Sequence, residues 1–257
     1  MTETTYYLPV PGRAAVIADL HNRPYYQIIQ SLSDRRPEII CIAGDLVYGG
    51  SPDQDHLLIQ TQKYVLPFVR ACCGIAQTFL ALGNHERALA DADLQRIRDT
   101  GCIVLDNEWT AFGGMVIGGL TSHYVLDYRC FREGKRELYP TCRQKASIIR
   151  KPDTEWLADF EKQPGYRILL CHHPEYYPLY LKDRNIDLIL AGHAHGGQVR
   201  LFGRGLYAPG QGVLPKLTGG FYDEGRLLVS RGLTNTVAIP RIGNPCELVM
   251  IEICCTK

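Results

Sequence analysis

The sequence lacks the features that mark several classes of protein. Lysine and arginine total 28 against 27 acidic residues in a chain of 257, so no broad positive field drives non-specific binding to nucleic acid. No apolar run approaches the roughly 20 residues that a membrane-spanning helix requires. The first residues show no basic segment followed by an apolar one, so we expect no signal peptide. These absences predict a cytoplasmic protein with no nucleic-acid partner and no membrane span.

CxxC pairs are also absent, although the chain contains ten cysteines. Without such pairs, a zinc site made of thiolates is not indicated. Disulfide scaffolds are short and rich in loops, whereas this chain alternates apolar runs with helix-like stretches. We therefore expect ten free thiols that serve as small buried hydrophobic residues.

Short apolar runs that end in polar residues recur through the first half of the chain. They cover residues 14–21, 38–45 and 77–86, and helix-like stretches follow them over 24–33, 53–71 and 87–100. This alternation predicts βαβ units with parallel strands that are buried on both faces. Ligands collect beyond the carboxyl ends of such strands, which is where the polar residues fall.

The second half of the chain predicts a second sheet. Three short runs within 102–131, separated by Gly and Asn, indicate a meander that begins this sheet, and 141–163 contains an amphipathic helix. Two apolar runs then end in histidines, at 166–174 and 186–197. A hairpin about 223–225 and a last strand over 247–253 follow. Because no linker or repeat interrupts the chain, we predict one α/β domain over 1–257.

The polar residues at the strand ends form an ordered series of motifs. The series runs Asp19-Leu20-His21, Gly44-Asp45, Gly83-Asn84-His85-Glu86, His172-His173 and Gly192-His193-Ala194-His195. Residues two apart on a strand point to the same side, so Asp19 and His21 could bind one ion. DxH alone arises often by chance, but GNH followed by an acid and GHxH are both rare. The ordered set therefore indicates a metal site.

With these motifs the sequence resembles the calcineurin-like metallophosphoesterases, whose signature is DxH, GD, GNH[DE], a later strand-end His and GHxH. The resemblance implies two mixed β-sheets packed face to face and flanked by helices, a four-layer αββα sandwich. The tail, with GHAHGGQVRLFGRGLYAP, LLVSRGLTNT and RIGNPCELVMI, resembles a bacterial branch. That branch includes cell-wall-associated phosphoesterases and enzymes similar to UDP-2,3-diacylglucosamine diphosphatase. It implies a phosphorylated small-molecule substrate, such as a nucleotide-sugar or lipid-linked diphosphate.

Carried over position by position, the resemblance implies a site for two divalent transition-metal ions. Asp19, His21 and His195 would bind the first ion, and Asp45 would bridge to the second. The second site would be completed by Asn84, His172 and His193. Oxygen and imidazole ligands without thiolate suit manganese, with Fe, Zn, Ni or Co as alternatives. A hydroxide held between the two ions would attack phosphorus and cleave a phosphoester or diphosphate bond.

Several neighbouring residues have more than one interpretation. His85 would face the phosphoryl group as a proton donor or an electrostatic contact, and Glu86 either orients it or begins a surface helix. Because the family spacing selects the first histidine of the pair at 172–173 as ligand, His173 would support the site or face solvent. His123 and Arg200 are candidate substrate contacts, although a local hydrogen bond and an ion pair are simpler explanations.

Two other functions compete with catalysis. The same fold can serve as a non-catalytic metal-binding scaffold, because fold alone does not prove activity. Such scaffolds typically lose ligands or the catalytic histidine, whereas here every expected position is filled. A structural zinc protein would close the coordination sphere with histidines. Seven ligands with a bridging carboxylate suit an open pair of metals better.

Overall fold

The computed structural model describes residues 1–49, 57–122, 151–236 and 240–253, together with the backbone of 124–126 and 147–149. The first part of the chain forms β1 (Thr2–Leu8), β2 (Ala14–Ile17), α1 (Tyr26–Arg35), β3 (Ile39–Ile42), α2 (Val65–Cys73), β4 (Gln77–Ala81), α3 (Asp91–Arg98) and β5 (Ile103–Leu105). The second part forms β6 (Glu108–Phe112), β7 (Met115–Leu120), β8 (Tyr124–Leu126), β9 (Ser147–Ile149), α4 (Leu157–Phe160), β10 (Tyr166–Cys171), β11 (Leu188–Ala191), β12 (Arg200–Leu201), β13 (Arg204–Gly205), β14 (Tyr207–Ala208), β15 (Gly212–Val213), β16 (Gly220–Tyr222), β17 (Leu227–Val229) and β18 (Glu247–Ile253).

Two six-stranded sheets contain most of these strands. The first has the order β1-β18-β2-β3-β4-β5, and the second has the order β16-β17-β11-β10-β7-β6. In the first sheet β2 to β5 run parallel, while β18 is antiparallel to β2 and parallel to β1. In the second sheet β7, β10, β11 and β17 run parallel, and β6 and β16 are antiparallel edge strands. Both sheets are therefore mixed.

The sheets pack face to face around a shared apolar layer. Val16, Cys41 and Phe79 of the first sheet lie in one cluster with Ile168 and Leu190 of the second. On the outer face of the first sheet, a separate cluster joins the alternate strand residues to α1, α2 and α3. On the outer face of the second sheet, α4 and the turn at 177–181 do the same. Because apolar residues cover both faces of the central strands, the chain forms the expected four-layer sandwich, and the fold-class prediction is confirmed.

The predicted start of the second sheet is wrong. The strand β5, taken as part of the meander over 102–131, pairs in parallel with β4 and completes the first sheet. The second sheet begins only at β6, which forms an antiparallel pair with β7. The hairpin about 223–225 is confirmed, since β16 and β17 pair across it, and β18 matches the predicted last strand.

Two predicted helices are longer than the helices that form. Of the helix predicted over 53–71, residues 53–56 lie outside the described residues, and among residues 57–71 the helix begins only at Val65, because residues 59–61 form a 3-10 turn and Leu57 bridges to Leu89. Pro67 lies in the first turn of α2, where its missing N–H is not needed. Of the helix predicted within 141–163, α4 covers four residues, and 141–146 lie outside the described residues.

Six of the ten cysteines fall in the described part of the chain, and each of them is a free thiol. Cys41, Cys72, Cys102 and Cys171 are buried, as expected for small hydrophobic residues, whereas Cys73 is partly exposed. None of the described helices is both long enough and apolar enough to cross a bilayer.

Candidate metal centre

The candidate ligands follow the carboxyl ends of five strands. Asp19 and His21 follow β2, Asp45 follows β3, Asn84 follows β4, His172 follows β10, and His193 and His195 follow β11. The strands β2, β3 and β4 are parallel neighbours in one sheet, and β10 and β11 are parallel neighbours in the other. The polar ends of both sheets therefore meet at one edge of the sandwich.

The backbone turns sharply at these ligands. Asp19, His21, Asp45, His193 and His195 all have left-handed backbone, with φ between 46° and 64°. Residues other than glycine rarely adopt this conformation, and where they do it is often part of a functional site. It breaks each strand off abruptly, so that the side chains converge beyond the sheet edge.

The loop after the first motif also depends on a left-handed residue. Asn22 follows His21 directly, and its φ is 53°. Asparagine tolerates this region better than most residues. Its side-chain oxygen also accepts a hydrogen bond from the backbone N–H of Tyr64 at 2.8 Å. Asparagine at this position is therefore compatible with the sharp turn.

The glycines of the second and third motifs are required by a close approach of two loops. A Cβ at Gly44 would lie 2.7 Å from the Cα of Gly83 and 2.9 Å from Nδ1 of His172. A Cβ at Gly83 would lie 2.6 Å from the backbone nitrogen of Asp45. Side chains at these positions would push the loops apart and displace the ligands that they position.

The ligand atoms form two clusters, and Asp45 of the second also groups with His21 of the first and with His85. In the first cluster, Oδ1 of Asp19 lies 3.6 Å from Nε2 of His21 and 3.5 Å from Nε2 of His195. In the second, Oδ2 of Asp45 lies 3.0 Å from Nε2 of His172, and His193 contributes a third ligand atom within 4.8 Å of the others. The same Oδ2 atom lies 3.9 Å from Nε2 of His21. Asp45 thus stands between the clusters.

Several of these ligand atoms have no hydrogen-bond partner although they are buried. They include Oδ1 of Asp19, Nε2 of His21, Oδ1 of Asn84 and Nε2 of His193. Burying polar atoms without partners costs free energy, so an ion that satisfies all of them would be stabilising. Two ligands bound at about 2.1 Å and at right angles lie about 3 Å apart, which is close to the separations observed. The donor set therefore fits a pair of divalent metal ions.

Opposite charges on neighbouring ligands shift the pKa values of Asp45 and His172. Burial acts to raise the pKa of Asp45, but interactions with His172, His85 and His21 hold it well below its ordinary value. Burial acts to lower the pKa of His172, yet Asp45 and Asp19 raise it to about 10. In the metal-free protein these two groups form a buried ion pair, and a cation that binds here takes the place of the His172 proton.

Hydrogen bonds on the far side of two rings affect which nitrogen can bind a cation. Nδ1 of His172 lies 2.6 Å from the carbonyl oxygen of Ala43, so it carries the proton and leaves Nε2 free to coordinate. Nδ1 of His195 instead lies 3.1 Å from the guanidinium of Arg241, which can only donate. Coordination through Nε2 of His195 therefore requires Arg241 to move away from Nδ1.

Glu86 is a buried residue and not a surface one. Its side chain is buried and accepts hydrogen bonds from the backbone N–H groups of Asp45, Leu46, Val47 and Gly83 at 2.7–3.1 Å. Burial and the charge of Asp45 raise its pKa. The surface interpretation made from the sequence is wrong, and a role in orienting His85 stays a prediction. Glu86 ties the loop after β3 to the loop after β4, an arrangement that required knowing which strands are neighbours.

His85 differs from the ligand residues in its exposure. Its side chain is 26% exposed, whereas that of His172 is fully buried. Nδ1 of His85 donates to the carbonyl oxygen of Gly49, and Nε2 lies 3.7 Å from Oδ2 of Asp45. Tyr48, which no motif contained, stacks with the His85 ring at 6.4 Å between centroids. His85 thus faces the opening of the centre, with Tyr48 beside it.

Behind the second cluster lie two buried side chains, His173 and Glu175, of which only His173 belongs to a sequence motif. His173 is fully buried, so solvent exposure was the wrong alternative, and its ring lies 4.1 Å from that of His193. Glu175 is also buried, and burial raises its pKa to about 7. Spacing alone gave no signal for Glu175, whose Oε1 lies 3.2 Å from where a Cβ at Gly210 would stand, while Nε2 of His193 lies 3.4 Å from the same point.

Two further candidates from the sequence are Arg200 and His123. Arg200 donates hydrogen bonds to the carbonyl oxygens of Gly196 and Gly203 and to the hydroxyl of Thr218, so it braces the segment after His195. A substrate contact by Arg200 stays a prediction. His123 lies outside the described residues.

Similarity to known proteins agrees with the class of protein that this donor set defines. A family model described as calcineurin-like phosphoesterase matches residues 12–197. The chain belongs to this family, and the family and the donor set together support a metal-dependent phosphoesterase.

Three bacterial relatives illustrate the likeness. The uncharacterized protein YpbG of Bacillus subtilis (strain 168) is 27% identical over 244 residues, which cover 93% of this chain and 79% of the relative. An uncharacterized metallophosphoesterase of Aquifex aeolicus is 25% identical over 248 residues, covering 92% and 82%. The uncharacterized metallophosphoesterase Cj0846 of Campylobacter jejuni is 28% identical over 246 residues, covering 91% of this chain and 55% of the relative. None of these names states a substrate.

Proposed function

We propose that this protein hydrolyses a phosphoester or diphosphate bond at a centre for two divalent transition-metal ions, manganese foremost. The observation that carries the proposal is the convergence of two buried clusters on Asp45, with ligand atoms that have no hydrogen-bond partner. A structural zinc site would need only one closed cluster. Two clusters that share a carboxylate, with a partly exposed histidine beside them, favour catalysis over storage of an ion.

Each ligand has a proposed place in the centre. The first ion would be held by Asp19, His21, His195 and Asp45, and the second by Asp45, Asn84, His172 and His193. Such a pair of ions would lower the pKa of a water molecule and neutralise charge on the phosphoryl oxygens. The absence of thiolate from the donor set supports Mn, with Fe, Zn, Ni or Co as alternatives.

His85 is the proposed catalytic residue. Because Nδ1 donates to the Gly49 carbonyl oxygen, the ring is fixed with Nε2 towards Asp45 and the opening. A protonated Nε2 there can donate to a phosphoryl oxygen or to the leaving oxygen of a substrate. The hydrogen bond to Gly49 therefore orients the ring for this contact before a substrate arrives.

Metal removal and reconstitution test the proposal. Protein stripped with a chelator should lose all turnover of p-nitrophenyl phosphate, its bis-ester and a panel of diphosphates. Mn should restore turnover at least as well as Mg, because Mg²⁺ prefers oxygen ligands in octahedral geometry. The substrate that is cleaved fastest shows whether the protein is a phosphomonoesterase, a phosphodiesterase or a diphosphatase. A nucleotide-sugar diphosphate in the panel tests the bacterial branch that the tail resembles.

Two results would overturn the proposal. Full activity in verified metal-free protein would exclude metal-dependent hydrolysis. Protein that binds two ions per chain but turns over nothing in the panel would instead favour the non-catalytic scaffold on the same fold.

A further inference from the structure

Two short hairpins stand beside the metal centre. The strands β12 and β13 form one and β14 and β15 form the other, joined through Leu206. The backbone N–H of Leu206 donates to the carbonyl oxygen of Gly197 at 3.1 Å, which anchors the pair to the turn that contains His195. We call residues 199–216 together with Ile242 the hairpin surface, because Ile242 bridges to Val199.

The hairpin surface exposes large apolar side chains. Phe202 lies at the tip of the first hairpin and is fully exposed. Five further large apolar residues are at least half exposed, namely Leu201, Tyr207, Val213, Leu214 and Ile242. These six are nearly half of the fourteen exposed large hydrophobic residues in the described part of the chain, although the surface is a small share of it. Such a concentration marks an interaction site rather than ordinary surface.

The charge of this surface has one sign. No acidic residue occurs between Asp187 and Asp223, and Arg200, Arg204 and Lys216 lie within that stretch. The whole chain is nearly neutral, so the bias is local. Among the described residues, neither Arg204 nor Lys216 forms an ion pair. These two cations are therefore available to an anionic partner.

Cationic and apolar groups are interleaved on this surface. In the first hairpin, Leu201 and Arg204 are cross-strand neighbours, so their side chains emerge on the same face. Between the first hairpin and residues 214–222 lies a cavity of about 460 Å³, lined by all three cations together with Leu214 and Pro215. Arg200 is fixed there by its bonds to Gly196 and Thr218. The cavity thus brings fixed positive charge together with the exposed side chain of Leu214.

We propose that the hairpin surface docks on an anionic lipid membrane. Phe202 at the tip of the first hairpin, with Leu201 and Tyr207 on the exposed hairpin strands, suits insertion among lipid headgroups. Arg204 and Lys216 would meet the lipid phosphates at the depth where Phe202 enters the acyl boundary. Residues 199–216 include no Asp or Glu, so no like charge on this segment would repel such a membrane. The inference does not depend on the reaction catalysed at the metal centre.

Vesicle flotation with the full chain tests the proposal. Wild-type protein should float with vesicles made of two parts phosphatidylcholine to one part phosphatidylglycerol, and should stay in solution with phosphatidylcholine alone. Each Lys or Arg near an anionic surface strengthens binding roughly fivefold, so Arg204→Gln with Lys216→Gln should weaken it roughly 25-fold. Phe202→Ser should weaken binding roughly tenfold or more. Raised salt should release the protein, because screening removes the electrostatic part.

Phe112→Ser is the matched control. Phe112 is also exposed, but it lies at the turn before β7, at the end of the sheet opposite to the ligands. Its substitution should leave vesicle binding unchanged. Phe202→Trp supplies a second measurement, since its fluorescence should shift to the blue when phosphatidylglycerol-containing vesicles are added.

Three results would overturn the inference. One is wild-type protein that stays in solution with both kinds of vesicle. Another is equal binding by wild type and by the Phe202→Ser and double-glutamine variants. The third is a dimer, detected by light scattering, that Phe202→Ser dissociates while no form of the protein binds vesicles; this would assign the surface to a second copy of the chain.

Discussion

The edge of the sandwich that carries the candidate metal ligands, which we call the ligand edge, buries polar side chains, whereas the hairpin surface exposes apolar ones. At the ligand edge, carboxylates and imidazoles are almost fully buried, and several of their atoms lack hydrogen bonds. On the hairpin surface, a phenylalanine and several aliphatic residues face solvent. Both arrangements cost stability in the isolated chain, and each would be relieved by a different partner. The comparison teaches that a binding site can be recognised either by buried polar atoms without hydrogen bonds or by exposed apolar side chains.

The two regions also differ in how they are held. The ligand edge depends on buried strands and on Glu86, which accepts four backbone hydrogen bonds across two loops. The hairpin surface consists of strands of two residues, fastened mainly by Leu206 and Arg200. Substitutions of the metal ligands should therefore affect metal content, stability and turnover together, whereas substitutions of the exposed hairpin side chains should leave all three unchanged.

The largest effect is expected at Asp45, which lies between the two clusters. Asp45→Asn removes a negative charge shared by two cations, so metal content and turnover should fall together. The loss of affinity should exceed the roughly 10²-fold that changes behind the ligands typically cause. Metal analysis and steady-state kinetics on the same preparation measure both. Normal metal content with normal turnover would exclude Asp45 as a bridging ligand.

His85→Asn should separate turnover from metal content at the same edge. Because His85 is proposed to contact substrate and not the ions, metal content should stay near wild type while turnover falls roughly 10²–10⁴-fold. If the ring protonates the leaving group, aryl esters should lose less than alkyl esters, since aryl leaving groups scarcely need a proton. A variant with an empty centre would mean that His85 is itself a ligand.

Two buried glutamates offer a matched pair. Glu86→Gln should destabilise the fold by about 1.5–3 kcal/mol, because an amide cannot accept the four hydrogen bonds made to the carboxylate. Glu175→Gln should be neutral or slightly stabilising at pH 8, because its oxygens lack hydrogen-bond partners. Burial raises the Glu175 pKa to about 7, above its unfolded value, so ionisation at higher pH opposes folding and glutamine removes that penalty. Chemical denaturation of both variants decides; equal losses would contradict the structural distinction.

The smallest effect should come from the hairpins. Phe202→Ser and Arg204→Gln should each change the turnover of p-nitrophenyl phosphate less than twofold and the free energy of unfolding by less than about 0.5 kcal/mol. Neither side chain takes part in the centre, and both are exposed. A large loss of turnover or of unfolding free energy would show that the hairpin surface and the metal centre are coupled, which would contradict the distinction between the two regions.

Much of the ligand edge could be predicted from the sequence because each ligand follows an apolar run directly. The residues Asp19, Asp45 and His193 needed only their strands to be recognised, and the strands are too apolar to be anything but buried. The role of Glu86 could not be predicted, since it depends on β3 and β4 being neighbours. The position of Glu175 could not be predicted either, since it depends on contact with the loop at Gly210. Local patterns give the ends of strands, whereas contacts between loops follow from the order of strands in the sheet.

The position of β18 has a consequence for the way the chain is made. This strand lies between β1 and β2, pairing Thr2 with Glu247 on one side and Ala15 with Met250 on the other. While a ribosome is still synthesising the protein, β1 has no partner and β2 has an open edge, because the strand that separates them follows much later in the chain. Pairing over so large a separation in sequence is slow, and open edges invite aggregation. We expect the first sheet to close only once residues 247–253 have left the ribosome, and a chaperone bound to the nascent chain to protect β2 until then.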